Sequence, residues 1–396
     1  MHYPTFSLAL SIPATFATAT ISATLLAKFG FPLPLLQQRI GCLDGLRGYL
    51  ALAVLVHHFV IWLQITSLGG TWFMPSIPFF EQLGAMSVAL FFMITGAVFY
   101  PKIRRGFYNL NWPAFILTRL CRIVPLTVLS ISAVTIIIML RTGHQPDGIY
   151  ISEAFTWLTG QSEPDLLNYP NSGRINAYVL WSIWFEWLFY FLILPICALI
   201  SSHRGRNGSW IIPALLFLLT VPAHHLLGQF RLWGYLPYFA IGMFASECQS
   251  HPGLATSFRT RPISVAATAG LLIGMTLFFT PYGFAMLLGG FFLVCVACGN
   301  NLYGLLQLRG ALVLGECSFG IYLLHGVLLN VMFVSGRSVI MMLPTWLLPA
   351  FLPIAGFVIV FISGITYLLI ERPANQFGHT FAKRWMRQNR ATATLT

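Results

Sequence analysis

Arg47 and His58 stand eleven residues apart in the run LDGLRGYLALAVLVHHFVIWL, with Asp44 three residues before Arg47. At ~100° per residue, eleven steps close to about three turns plus ~20°, so a helix here puts both side chains on one face. His58 then lies roughly 16 Å further along the axis than Arg47, and Asp44 shares the stripe. The surrounding residues are apolar enough to be a membrane span. An ionisable side chain near the bilayer centre costs ~2.5–3.5 kcal/mol on insertion scales, so such residues face cavities and have work to do. An imidazole can act as a general base or as a nucleophile; both tasks need its neutral form. A guanidinium binds carbonyl or phosphate oxygens. His57, next in line, points ~80° away from Arg47 and reads as a structural hydrogen-bonder.

Glu186 is the next costly group, in LWSIWFEWLFYFLILP. Ser182 at i−4 and Tyr190 at i+4 share its helical face. A mid-span acid cannot reach the interface, so Glu186 is expected to face a cavity. His325, in FGIYLLHGVLL, shares a face with Tyr322. Lining a cavity and making a plain interhelical hydrogen bond are both open readings for it. Arg119 and Arg122 lie one turn apart where a helix enters the membrane. They could bind an anionic group such as phosphate, whereas Lys102, Arg104 and Arg105 read as topology signals. His224 and His225, at a span end, read as solvated.

The elements that must position these residues are helices in a membrane. Charged residues make up 8% of the 396 and hydrophobic ones 57%, with a mean hydropathy of +0.77. Soluble domains carry about 25% charged residues, so this chain lacks the charge to cover a globular surface. The expected fold is all-α, a polytopic integral membrane protein. Ten core spans are expected near 48–66, 84–100, 122–140, 176–200, 210–227, 232–249, 263–280, 284–303, 311–334 and 346–370. A weaker eleventh, 5–27, is rich in Thr, Ala and Ser and interrupted by Pro13.

The +12 formal charge fits the positive-inside rule better than nucleic-acid binding, which is not expected. With the residue-40 end inside, 18 of the 22 Lys and Arg fall in inner segments, among them Lys28, Arg39, Arg204 and Arg206. Only Arg141, Arg174, Arg231 and Arg337 fall outside, which puts the C-terminus in the cytoplasm. The longest outer loop, 141–175, holds Asp147, Glu153, Glu163 and Asp165. The seven Cys lie in or beside apolar spans and suggest neither a disulfide framework nor a metal site.

Six segments, in order, resemble the membrane acyltransferase family 3, bacterial O-acyltransferases of envelope and exported glycans. LDGLRGYLALAVLVHHF carries that family's Arg–ten residues–His spacing at Arg47 and His58. MSVALFFMITGAVFY is similar to its second-helix segment, with Thr95-Gly96-Ala97 departing from the usual ending. RLCRIVP supplies Arg119, Arg122 and Pro125; WSIWFEWLFY supplies Trp181, Ser182, Glu186, Phe189 and Tyr190; FGIYLLH supplies Tyr322 and His325; LLIERP supplies Glu371, Arg372 and Pro373.

The resemblance covers 39–373, which leaves 1–38 as an N-terminal extension and 374–396 as a basic cytoplasmic tail. It implies a multi-pass enzyme of the plasma (inner) membrane. The activity implied is transfer of an acyl group, acetyl by preference, from cytoplasmic acyl-CoA to a sugar hydroxyl of a polysaccharide or glycolipid. No bound cofactor and no metal are expected; membrane lipid, the acyl-CoA and the glycan are the partners. His58, Arg47 and Glu186 are the expected catalytic set. Asp44, Arg119, Arg122, Ser182, Tyr190, Tyr322 and His325 are the expected substrate-binding set. The rival reading is a transporter or flippase for a lipid-linked sugar, and a haem carrier is a more distant one.

Overall fold

The computed structural model describes residues 5–33, 41–68, 72–204, 210–227 and 231–393. Arg39 and Arg206 of the basic set lie outside them, as do the side chains of Arg204, His224, His225 and Arg231. The described residues are helical and contain no strand. In chain order the α-helices are α1 Thr5–Lys28, α2 Gly41–Leu68, α3 Pro78–Ile103, α4 Trp112–Thr142, α5 Tyr150–Thr159 and α6 Trp181–Leu188. They continue as α7 Leu194–Arg204, α8 Ile211–Leu227, α9 Arg231–Ser250, α10 Pro252–Phe258, α11 Arg261–Leu277 and α12 Phe284–Ala297. The last five are α13 Arg309–Glu316, α14 Ser318–Asn330, α15 Arg337–Ile340, α16 Phe351–Thr366 and α17 Arg372–Ala393.

Among the described residues, seven helical segments are long and apolar enough to cross a membrane, or eight if the bent pair α10–α11 is one span. Ten were expected. The difference lies mainly in the middle of the chain. There α11 meets α10 at a 70° bend, and the apolar helices Ile211–Ala223 and Phe284–Ala297 fall short of a full crossing.

The weak N-terminal segment is a full helix despite Pro13. Three of its hydroxyls are satisfied within the helix: Thr15, Thr20 and Thr24 donate to carbonyls four residues back. Its small face packs on α16, where Thr18 donates to the Pro353 carbonyl at 3.0 Å. The extension is thus built into the bundle, and the boundary expected at 373 falls within the continuous helical segment Leu348–Trp385.

Small residues let the central helices approach closely, as they do where lipid-soluble helices lack a hydrophobic drive to pack. A Cβ on Gly48 of α2 would sit 2.4 Å from the Leu314 Cβ of α13. In return, Gly315 of α13 rests on the Asp44 backbone. The contact fixes the rotation of α2, and with it the direction of the Asp44–Arg47–His58 stripe.

Candidate active site

The two ends of that stripe open into two cavities. Arg47 lines a small one, about 60 Å³, together with Arg122 of α4, Ser182 and Glu186 of α6, and Ser318 and Tyr322 of α14. With Val88 of α3 in the wall, five helices meet around one guanidinium. Glu186 interacts electrostatically with Arg122, Arg47 and Arg119, and Asp44 and Glu316 act on Arg47. Glu371 lies in the same field and is 4% exposed, with Oε1 unpaired. The Tyr367 hydroxyl donates to Glu316 at 2.7 Å. The cluster is a set of partly buried cations matched by partly buried acids and the buried Glu371, which is what charge inside a low-dielectric bundle requires.

π-helical turns occur at two edges of this cluster. One, Phe189–Ile193, comes after Glu186, and another, Tyr367–Glu371, ends on Glu371. A π turn adds a residue to the ladder and rotates the next stretch of helix, and such turns gather at functional sites. Tyr190, expected on the Glu186 face, sits in the first of them and does not line the cavity. It packs under Arg119, whose guanidinium carbon is 5.8 Å from the Tyr190 ring and 5.3 Å from that of Phe99. Arg119, expected to touch substrate, is likewise set back from the cavity among aromatic faces, with Arg122 in front.

The second cavity, about 530 Å³, is lined by His57 and His58 of α2, Glu81 and Gly84 of α3, residues 160–163 and 177–179 of the α5–α6 connection, and Trp72 and Tyr235. Val88 and Tyr322 belong to both cavities, so these two side chains stand between them. Tyr322 is held there by its hydroxyl, which donates to the Val179 carbonyl at 3.2 Å.

The hydrogen bonds define the state of His58. His325 Nδ1 lies 3.1 Å from the Ile321 carbonyl, which can only accept, so this nitrogen carries the proton. The neutral ring then has a lone pair at Nε2, which lies 3.0 Å from His58 Nδ1. His58 Nδ1 is also 3.1 Å from the Val54 carbonyl. Both neighbours of His58 Nδ1 are acceptors, so Nδ1 holds the proton and Nε2 is the basic nitrogen. A base oriented by a third group through its other ring nitrogen is the general arrangement of an activated acid–base site. His325 itself is 0% exposed and lines neither cavity; it was expected to touch substrate and instead stands behind His58. The reason is local: its Nδ1 turns back onto its own helix, which leaves only Nε2 to face α2.

His57 donates from Nδ1 to the Phe80 carbonyl at 2.8 Å and is pressed against Gly84. It is anchored to α3, as its position on α2 suggested, though its ring also reaches the cavity.

A family model described as an acyltransferase domain matches residues 40–368. The chain belongs to acyltransferase family 3. No curated protein and no solved structure matches the chain. The matched region runs from the start of α2 into the last π turn, so it includes both cavities of this acyltransferase.

Sequence reasoning passed over several residues that the fold brings to the two cavities. Glu371 stood in the closing motif but had no partner in view until the fold set it in the field of Arg122 and Arg47. Glu163 was one loop acid among four. Glu81, Glu316 and Trp72 carried no motif. The scarcity of acids, ten in the whole chain, was the one available signal.

Proposed function

We propose that this acyltransferase moves an acyl group, acetyl by preference, from cytoplasmic acyl-CoA to a hydroxyl of a sugar in a polysaccharide or glycolipid. The carrying observation is the pair of cavities that meet at Val88 and Tyr322, one bearing guanidinium groups and the other the basic nitrogen of His58. Arg47 and Arg122 suit the donor. The small cavity admits the narrow thioester end of the pantetheine arm, and a guanidinium there polarises the thioester carbonyl. Asp44 and Glu186 hold the two cations in place. In the wider cavity His58 Nε2 takes the proton of the acceptor hydroxyl as its oxygen attacks the thioester carbon. The tetrahedral intermediate collapses, the C–S bond breaks, and the proton on His58 passes to the leaving sulfur. The His58–His325 hydrogen bond becomes charge-assisted while His58 is protonated.

This reading takes the enzyme as a plasma-membrane protein with its C-terminus cytoplasmic and ten crossings after residue 40, with α8, α9, the bent α10–α11 pair and α12 each counted as one. The 18-to-4 distribution of basic residues supports that orientation. It puts the Arg47 end of α2 where acyl-CoA is made and the His58 end toward the outer face.

The test is mass spectrometry of envelope glycans from cells with and without the gene, paired with release of free CoA thiol by purified protein in nanodiscs. An added mass of one acyl group per repeat, lost in His58→Ala, is the expected result. Glycans of identical mass and no CoA release overturn the reading.

A further inference from the structure

The wide cavity contains polar groups that proton transfer at His58 leaves unused. Glu163 reaches it from the α5–α6 connection. One carboxyl oxygen, Oε1, accepts the Leu180 N–H at 3.1 Å. The other, Oε2, is buried without a well-formed hydrogen bond, although the Asn176 amide stands near the carboxyl. Glu81 Oε2, in the wall of the same cavity, is also buried and unpaired. A buried acceptor left without a donor loses its hydration and gains nothing in exchange, so it is retained where a ligand supplies the donor. Burial pushes the Glu163 carboxyl up to about 8, which keeps it largely neutral at neutral pH. A neutral carboxyl offers an O–H donor as well as an acceptor.

The rest of the lining narrows the ligand class. Trp72 and Tyr178 pack edge to face at 5.5 Å, and the tilted rings of Trp181 and Tyr235 lie 5.0 Å apart. These apolar ring surfaces match the C–H face of a sugar. The polar groups are mixed: carboxyls that accept and imidazoles that can do either. A hydroxyl both donates and accepts and satisfies such a set, whereas an ammonium only donates. The volume, about 530 Å³, falls in the ~300–1,000 Å³ range of small-ligand sites. The connection is also rigidly placed. Ala177 and Tyr178 hold positive φ of 62° and 52°, and Gly326 of α14 lies directly against the Asn176 backbone.

We infer that Glu163, together with Glu81, forms the acceptor subsite: the two carboxyls bind hydroxyls of a sugar ring that lies along Trp72, and so determine which hydroxyl reaches His58 Nε2. The inference rests on the acyltransferase reading above. Glu163 acts by binding and takes no part in the proton transfer.

The experiment uses the full-length chain in cells lacking the gene, complemented with wild type, Glu163→Ala or Glu163→Gln. It reads the acyl content of envelope glycans, and the rise in Tm that 1 mM CoA gives each purified protein (a concentration of about the usual upper KM range). Glu163→Ala is expected to lower glycan acylation at least tenfold while the CoA-dependent rise in Tm persists. Glu163→Gln, neutral and still able to donate and accept, is expected to keep at least half of wild-type acylation. Wild-type acylation by Glu163→Ala overturns the subsite. So does loss of the CoA response in Glu163→Ala, which would make the residue structural. A Gln variant as inactive as the Ala variant overturns it too, since that marks a need for charge. Absence of acylation in the wild type overturns the acyltransferase reading itself, and the subsite with it.

Discussion

His58 Nδ1 lies 3.0 Å from His325 Nε2, across 267 positions of the chain. The pair makes His58 Nε2 the basic nitrogen and His325 a positioning residue. His325→Phe is expected to lower kcat by about one to two orders of magnitude, with KM for acyl-CoA little changed. His325→Gln, whose side-chain oxygen can accept from His58 Nδ1, is expected to recover part of the loss. Steady-state kinetics of both variants check this; a loss in His325→Gln as large as in His325→Phe would show that an acceptor at this position is not what positions His58.

His58→Ala is expected to remove the general base and cost roughly 10²–10⁴ in kcat/KM. His57→Ala is expected to retain most activity, because that ring is anchored to the Phe80 carbonyl. The reverse ranking, measured as acyl-CoA turnover, would reverse the assignment of the two imidazoles.

Arg122 lies in the field of Glu186, Glu316 and Glu371, of which Glu371 is buried, so its removal leaves these acids short of a cation. Arg122→Ala is expected to destabilise the protein, because it leaves acids without a compensating cation inside the helix bundle. Adding Glu186→Gln is expected to restore part of that stability without restoring activity. Unfolding of the single and double variants in detergent measures the coupling.

Stability should carry a pH signature from Glu163. Its folded-state pKa is raised from 4.5 to about 8 by burial. Between those values the unfolded chain gives up the proton while the folded chain keeps it, so folding stability falls as pH rises from about 5 to 8. Glu163→Gln lacks the titrating proton. The Tm difference, variant minus wild type, is expected to grow with pH over that window; a flat difference would show that Glu163 is not held neutral by the fold.

Gly48→Ala places a methyl group 2.4 Å from the Leu314 Cβ and 2.7 Å from the Leu314 carbonyl carbon. Backbone cannot yield as a flexible side chain does, so a loss of ~1–3 kcal/mol is expected, in the range for overpacking. A thermal scan of the variant, beside one of Gly253→Ala, where nothing lies within 4 Å, isolates the contact.

The helical class and the stripe on α2 were legible in the chain itself, because both arise from short-range periodicity. Residues 44, 47 and 58 share one face of any straight helix, whatever packs against it. The same reasoning paired Ser182 with Glu186, and both line the small cavity. Tyr190 lies in the field of Glu186 as that spacing suggested, but it stands beside Arg119 and outside the cavity lining, which the spacing did not announce.

What only the tertiary structure decided involves partners far apart in sequence. His325 became a positioning group because α14 packs on α2 and brings its free nitrogen to His58. Glu163 left the company of ordinary loop acids because the α5–α6 connection folds over the wide cavity and buries it there. Each side chain's helical phase is a local property of the backbone. The group it finally meets depends on how the helices dock, and here that depends on contacts such as Gly48 against Leu314.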